Sequence, residues 1–220
     1  MRPSPYSPRS MVKRALTAPG FFEYKLPAFP GSPFQFSRRM LGGGAARVLP
    51  ARVTRWARIM LPHFKQRSWS DFPLRELVGE VAQSLAAPCK DRSIEVILDV
   101  SANLVATGNR GLIRRAVEHL MLGAIAAMPK GGSLWVTSAA GPNAIELEVA
   151  DTGPTLSDEA RRHAFDSPGD TERGAAGWEL AMVYHIAKIH GGSVTAANCP
   201  EGGVAFTLRI PRRAALEAAA

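Results

Sequence analysis

Apolar residues recur at helical spacing in two long stretches of this chain. Leu74, Leu77, Val78, Val81 and Leu85 mark a helix over Leu74–Cys89. Ile113, Ala116, Val117, Leu120, Ala124, Ile125 and Met128 form one stripe over Leu112–Met128, the strongest helical signal present. Alternation replaces this period elsewhere. Ile94–Val100 reads as a strand, and Ser133–Ser138 and Ile145–Ala150 read as strands joined by the turn Ala140-Gly141-Pro142-Asn143. Ser157–Phe165 is expected to be a short helix capped by Ser157, with Asp158 and Glu159 at its positive end. Glu179–Ile189 is expected to be a helix closed by Gly191-Gly192, followed by a hairpin of Ser193–Ala197 and Val204–Ile210. Strands with helices gathered on one side predict an α+β fold, a two-layer α/β sandwich.

Charge divides the chain in two. Residues 1–70 hold 13 Lys and Arg against one acid, Glu23, a net of +12, while residues 71–220 hold 14 against 18, a net of −4. Nine of the 17 prolines lie in the first part, and proline opposes both long helices and central strands. The expected organisation is a basic Pro/Arg-rich disordered arm over 1–50, a short helical linker over 51–70, a folded domain over 71–213 and an Ala-rich tail over 214–220. Val48–Phe64 can form the linker helix, with Val53, Trp56, Ile59 and Met60 on one side. Two cysteines, Cys89 and Cys199, imply no disulfide framework. No apolar run reaches the roughly 18 residues needed to span a bilayer, so a cytoplasmic protein without a membrane partner is expected.

Three blocks carry candidate chemistry. The strand Ala144–Ala150 runs into Asp151-Thr152-Gly153-Pro154-Thr155, which sets a carboxylate at a strand end beside a glycine that permits close approach. Upstream, the helix Leu112–Met128 ends in Met128-Pro129-Lys130-Gly131-Gly132. Downstream lies Gly177-Trp178-Glu179-Leu180, opening the helix that ends at His190-Gly191-Gly192. In this order, from about Asp71 to Arg212, the blocks resemble the ATP-binding domain of sensor histidine kinases, within the GHKL ATPase superfamily. The resemblance implies a nucleotide held between the helical layer and a lid, and a partner that is a histidine kinase or response regulator.

By that resemblance Asp151 accepts a hydrogen bond from the adenine amino group, with Gly153 beside the base. His119 matches the first position of the family's Asn-x-x-x-Asn pair, Gly177 the middle glycine of its glycine-rich box, and Phe165 the lid phenylalanine; Arg173 is a lid cation. Three positions depart from the family pattern. Gly123 stands where an asparagine oxygen meets magnesium, Thr155 where a second glycine flanks the base, and Glu179 where phosphate oxygens lie. The chain is therefore expected to have impaired or lost binding of ATP with magnesium, and no confident catalytic or metal-ligating residue. No phosphoacceptor string is present either: His63 follows Pro62 and lacks an acidic neighbour. Two other readings stay open. One is a non-enzymatic pseudo-ATPase module that binds a kinase or response regulator. The other is binding of nucleic acid or an acidic surface through the arm.

Overall fold

The computed structural model describes residues 69–165 and 174–212, with side chains of the second stretch from Glu179 onward. The arm over 1–50, the helix expected over Val48–Phe64, His63, the lid over Asp166–Arg173 and the tail over 214–220 lie outside the described residues.

In chain order the elements are β1 (Ser70–Pro73), α1 (Leu74–Ser84), α2 (Ala86–Asp91), β2 (Ile94–Asp99), β3 (Val105–Gly108), α3 (Arg110–Ala127), β4 (Gly132–Ala140), β5 (Ala144–Asp151), α4 (Asp158–Arg162), α5 (Gly174–Ile189), β6 (Ser193–Asn198) and β7 (Val204–Pro211). Five strands form a mixed sheet in the order β2-β4-β5-β7-β6. The β2–β4 pair is parallel and the other pairs are antiparallel. Short β1 and β3 pair with each other, Phe72 opposite Ala106.

One face of the large sheet carries the core. Leu134, Val136, Ile145, Leu147, Val149, Val194, Phe206 and Leu208 are buried there at alternate positions. Across it lie α3, which packs on β4 and β5, and α5, which packs on α3, β6 and β7. The stripe expected on α3 is buried as a unit, from Leu112 to Met128. At roughly 25 cal/mol per Å² of apolar surface, each such buried Leu or Ile stabilises the fold by about 1.5–3 kcal/mol. The expected α+β two-layer sandwich is the fold observed.

Differences from the sequence expectation have local causes. The helix expected over Leu74–Cys89 is two helices, α1 and α2, broken at Leu85. Pro88 has no N–H for the carbonyl of Ser84 and its ring crowds that carbonyl; restarting the helix at Ala86 puts Pro88 in a first turn, where both problems vanish. The helix expected from Glu179 begins instead at Gly174. Ala175 and Ala176 are strong helix formers, so the first turn forms over a segment that a glycine-rich sequence would leave open. The α4 helix is shorter than Ser157–Phe165, although the Ser157 hydroxyl accepts the Ala160 N–H at 3.0 Å as its composition implied. β1 and β3 were not anticipated; four residues each is too short for a clear alternation.

Buried polar contacts tie the layers together. The Asn109 side chain accepts the Leu112 N–H at 3.0 Å and so caps α3. The Asn109 N–H donates to His190 Nε2 at 3.0 Å, and His190 Nδ1 donates to the Ile186 carbonyl at 2.7 Å. Both ring nitrogens of His190 are thus used, in the neutral tautomer, and burial holds its pKa below the ordinary imidazole value. The Trp69 ring lies against it, centroids 5.1 Å apart. His190 is a structural residue that couples the end of α5 to the start of α3.

Candidate functional site

The central strand β5 delivers Asp151 to its end, the residue only 4% exposed. One carboxyl oxygen accepts the Gly153 N–H at 2.8 Å. The Val204 N–H, on β7, also bonds the carboxylate. Burial raises the Asp151 pKa; these two amides oppose the rise without cancelling it. The close approach of the chain around it requires glycine twice. A Cβ on Gly153 would lie 3.0 Å from the Ala127 carbonyl oxygen and 3.2 Å from the Ala127 Cβ. A Cβ on Gly203, at φ +88°, would collide with the Asp151 carbonyl.

The loop after Asp151 is held by two side chains that the motif reading passed over. The Thr152 hydroxyl accepts the Ser133 N–H at 2.9 Å and touches Met128 Sδ at 3.5 Å, which fixes the loop between α3 and β4. Asn198, at the end of β6, accepts the Leu156 N–H at 3.0 Å and donates to the Leu156 carbonyl at 2.8 Å. An asparagine closing a strand is a common turn former, so its sequence signal was generic. Thr155 itself is exposed. Farther on, Phe165 is buried edge-on against Phe206 of β7, centroids 6.3 Å apart.

His119, Gly123 and Ala127 lie four residues apart on α3, so they form one line on one side of it. The line spans about 12 Å, from eight residues at 1.5 Å each. Ala127 stands at the Gly153–Asp151 end. His119 stands at the other end, close enough to Glu179 of α5 for that carboxylate to favour its protonated form. Burial acts more strongly and in the opposite sense, so the His119 pKa is lowered. Its Nδ1 is buried and has no hydrogen-bond partner. Among the described residues, a Cβ at Gly123 would meet nothing within 4 Å, so the helix offers only backbone there.

The structure therefore brings Asp151 and Gly153 together at one end of the line, and His119 and Glu179 at the other, with Gly123 between. Gly177 lies in the opening turns of α5, with helical backbone. In such a helix only the leading N–H groups stay unpaired, so the amides of Trp178 and Glu179 are directed to carbonyls four residues earlier. Arg173 lies outside the described residues. Cys199, near Asp151, Glu148 and Glu201, has its thiol pushed up to about 11 by burial and then by those acids, so it is inert at neutral pH. Among the described residues no cluster of His, Cys, Asp or Glu is placed to hold a metal ion.

Residues 108–214, which contain every described site residue, match the family described as histidine kinase-, DNA gyrase B- and HSP90-like ATPase. The chain carries a domain of this family. The chain is similar to sensor-like histidine kinase SenX3 of Mycobacterium tuberculosis, 30% identical over 148 residues, which is 64% of this chain and 36% of that protein. Signal transduction histidine-protein kinase AfsQ2 of Streptomyces coelicolor is 37% identical over 92 residues, 39% of this chain and 17% of that protein. The chain thus spans about a third or less of the length of these relatives. Among solved structures, the nucleotide-free catalytic domain of histidine kinase ThkA matches with a TM-score of 0.61 at 26% identity, covering 66% of this chain and 97% of that one. ThkA in complex with response regulator protein TrrA matches with a TM-score of 0.60 at 21% identity, covering 81% and 55%, a likeness of fold alone. ATPase domains of this family bind ATP, usually with magnesium. No helix among the described residues is long and apolar enough to cross a membrane.

Proposed function

We propose that this chain is the ATP-binding part of a two-component signalling protein whose binding of ATP with magnesium is weak or lost. Asp151 anchors the adenine amino group in this reading, with Gly153 beside the base, and the phosphates run along the α3 line toward His119. The observation that carries the loss is Gly123. By the family resemblance it occupies the place of the metal-binding asparagine, a Cβ there would meet no described residue within 4 Å, and it offers no side-chain oxygen. Magnesium normally draws on one or two protein ligands as well as on phosphate. Two further features point the same way. Glu179 brings a negative charge to the phosphate end, and the helical backbone from Gly174 uses amides that would otherwise face an anion. The ATP–magnesium group therefore fits this residue set at its base end and not at its metal end.

A non-enzymatic role follows as the second reading, favoured by the same bare backbone at Gly123: a pseudo-ATPase module that docks on a histidine kinase or response regulator. These 220 residues contain no phosphoacceptor histidine in this reading, since His63 lacks the required neighbours. Calorimetric titration of the full chain with ATP, with and without magnesium, tests both. Weak binding that magnesium does not improve supports the impaired domain. Tight magnesium-dependent binding with turnover refutes it.

A further inference from the structure

The two ends of the α3 line differ in what they can still bind, and this difference names a ligand class. At the base end the Asp151 carboxylate is buried and held by two backbone amides, and Gly153 keeps the chain against Ala127. At the phosphate end the charged groups facing His119 are Glu179 from α5, and Glu118 and Arg115 from α3. Arg114 is paired with Glu118 at 3.3 Å. Burial lowers the His119 pKa and so disfavours its charged form. Among the described residues, these groups leave no excess of positive charge at this end for a triphosphate.

We propose that the pocket takes an unphosphorylated adenine nucleoside, adenosine or a compound of that class, in preference to ATP. This rests on the reading that Asp151 anchors adenine. A nucleoside keeps the contacts at Asp151 and Gly153 and brings no charge toward Glu179. Each added phosphate brings negative charge nearer that carboxylate with no metal ligand at Gly123 to offset it. One uncompensated unit charge a few ångström away, at the effective dielectric of a part-buried site, weakens binding by about tenfold or more.

The test is calorimetric titration of the full chain near neutral pH with adenosine, AMP, ADP and ATP, each with and without magnesium. Adenosine should bind at least about tenfold more tightly than ATP with magnesium, and affinity should fall with each phosphate. In Glu179→Gln, ATP should gain about tenfold while adenosine is unchanged; the unchanged adenosine titration also reports that the variant is folded. ATP binding as tight as adenosine, or tighter, overturns the proposal and leaves the ATP-site reading standing. A strong magnesium dependence in the unmodified chain that Glu179→Gln abolishes also overturns it, because Glu179 would then be the metal ligand. If none of the four compounds binds, the proposal and the adenine role of Asp151 fall together.

Discussion

Gly123→Asn isolates the metal end of the site, because the structure predicts its cost as well as its gain. Among the described residues a Cβ at this position meets nothing within 4 Å, so the new side chain displaces none of them. Glycine inside a helix is about 1 kcal/mol worse than alanine and asparagine about 0.6 worse, so the substitution should be neutral or stabilise α3 by a few tenths of a kcal/mol. For a domain of this size that is a rise in Tm of about 1 °C at most. The variant therefore stays folded, and any change in binding is local. Its amide oxygen then lies one helical turn from His119, on the line that leads to Asp151. Magnesium should improve ATP affinity by about tenfold in Gly123→Asn, about 1.4 kcal/mol, and by less than twofold in the unmodified chain. Combining it with Glu179→Gln should raise the magnesium-supported affinity further, since the two changes act on the same phosphate end. The assay is paired calorimetry with thermal melting. A stable Gly123→Asn variant that shows no new magnesium dependence, alone or with Glu179→Gln, would refute the assignment of this position to the metal site.

Other outcomes follow from the same geometry. Asp151→Asn should abolish adenine-nucleotide binding, because an acceptor becomes a group that presents a donor to the adenine amino group; unchanged affinity by calorimetry would remove the adenine role. His190 has a folded pKa below its unfolded value, so its contribution to stability is fully present above the unfolded value of about 6.5 and is lost as pH falls through the folded pKa. Its ring resonances should titrate below that value by NMR, and a normal titration would contradict the Asn109 and Ile186 hydrogen bonds. Limited proteolysis should leave a resistant core near residues 71–213, and early cleavage within Leu74–Ile210 would refute that boundary.

The fold was legible wherever a stretch of sequence buries one face against the other layer. The α3 stripe and the alternating β4, β5 and β7 declare themselves because nearly every second or third residue is constrained by the core. Shorter elements escape for the opposite reason. In β1 only Phe72 is buried, and in β3 only Ala106 and Gly108, which is too little for a period to show. The break at Leu85 and the early start of α5 were written in Pro88 and in Ala175-Ala176, but a periodicity reading weighs apolar spacing and misses single-residue punctuation. Within the site, Asp151, Gly153, His119 and Gly123 were found by their place in three blocks. Thr152 and Asn198, which hold the loop after Asp151, carry only the ordinary signal of turn residues. The near meeting of His119 and Glu179, 60 positions apart in the chain, comes from the packing of α5 on α3 and has no local signature.

A physical division separates the positions at which the resemblance expects the family residue to be kept from those at which it expects a departure. Asp151 satisfies the amides of Gly153 and Val204, Gly153 lets the chain pass Ala127, and Phe165 packs on Phe206. Each is needed by the fold whether or not a nucleotide binds. A Cβ at Gly123 would touch no described residue, Thr155 is exposed, and Glu179 is only half-buried. None of these three is needed by the core, so each can change at little cost to stability. Folding alone is enough to require these residues, so any binding role has to be read apart from the structural one. It follows that Asp151→Asn must be read on two scales. Replacing the carboxylate leaves the buried amide of Gly153 or Val204 poorly matched, which should destabilise the domain by about 1–3 kcal/mol even without ligand. If melting shows that loss while the adenosine affinity of the folded fraction stays unchanged, Asp151 is a structural residue only. If affinity vanishes in a fraction that remains folded, the carboxylate serves both the turn and the base, and the α3 line is a binding site with one end intact.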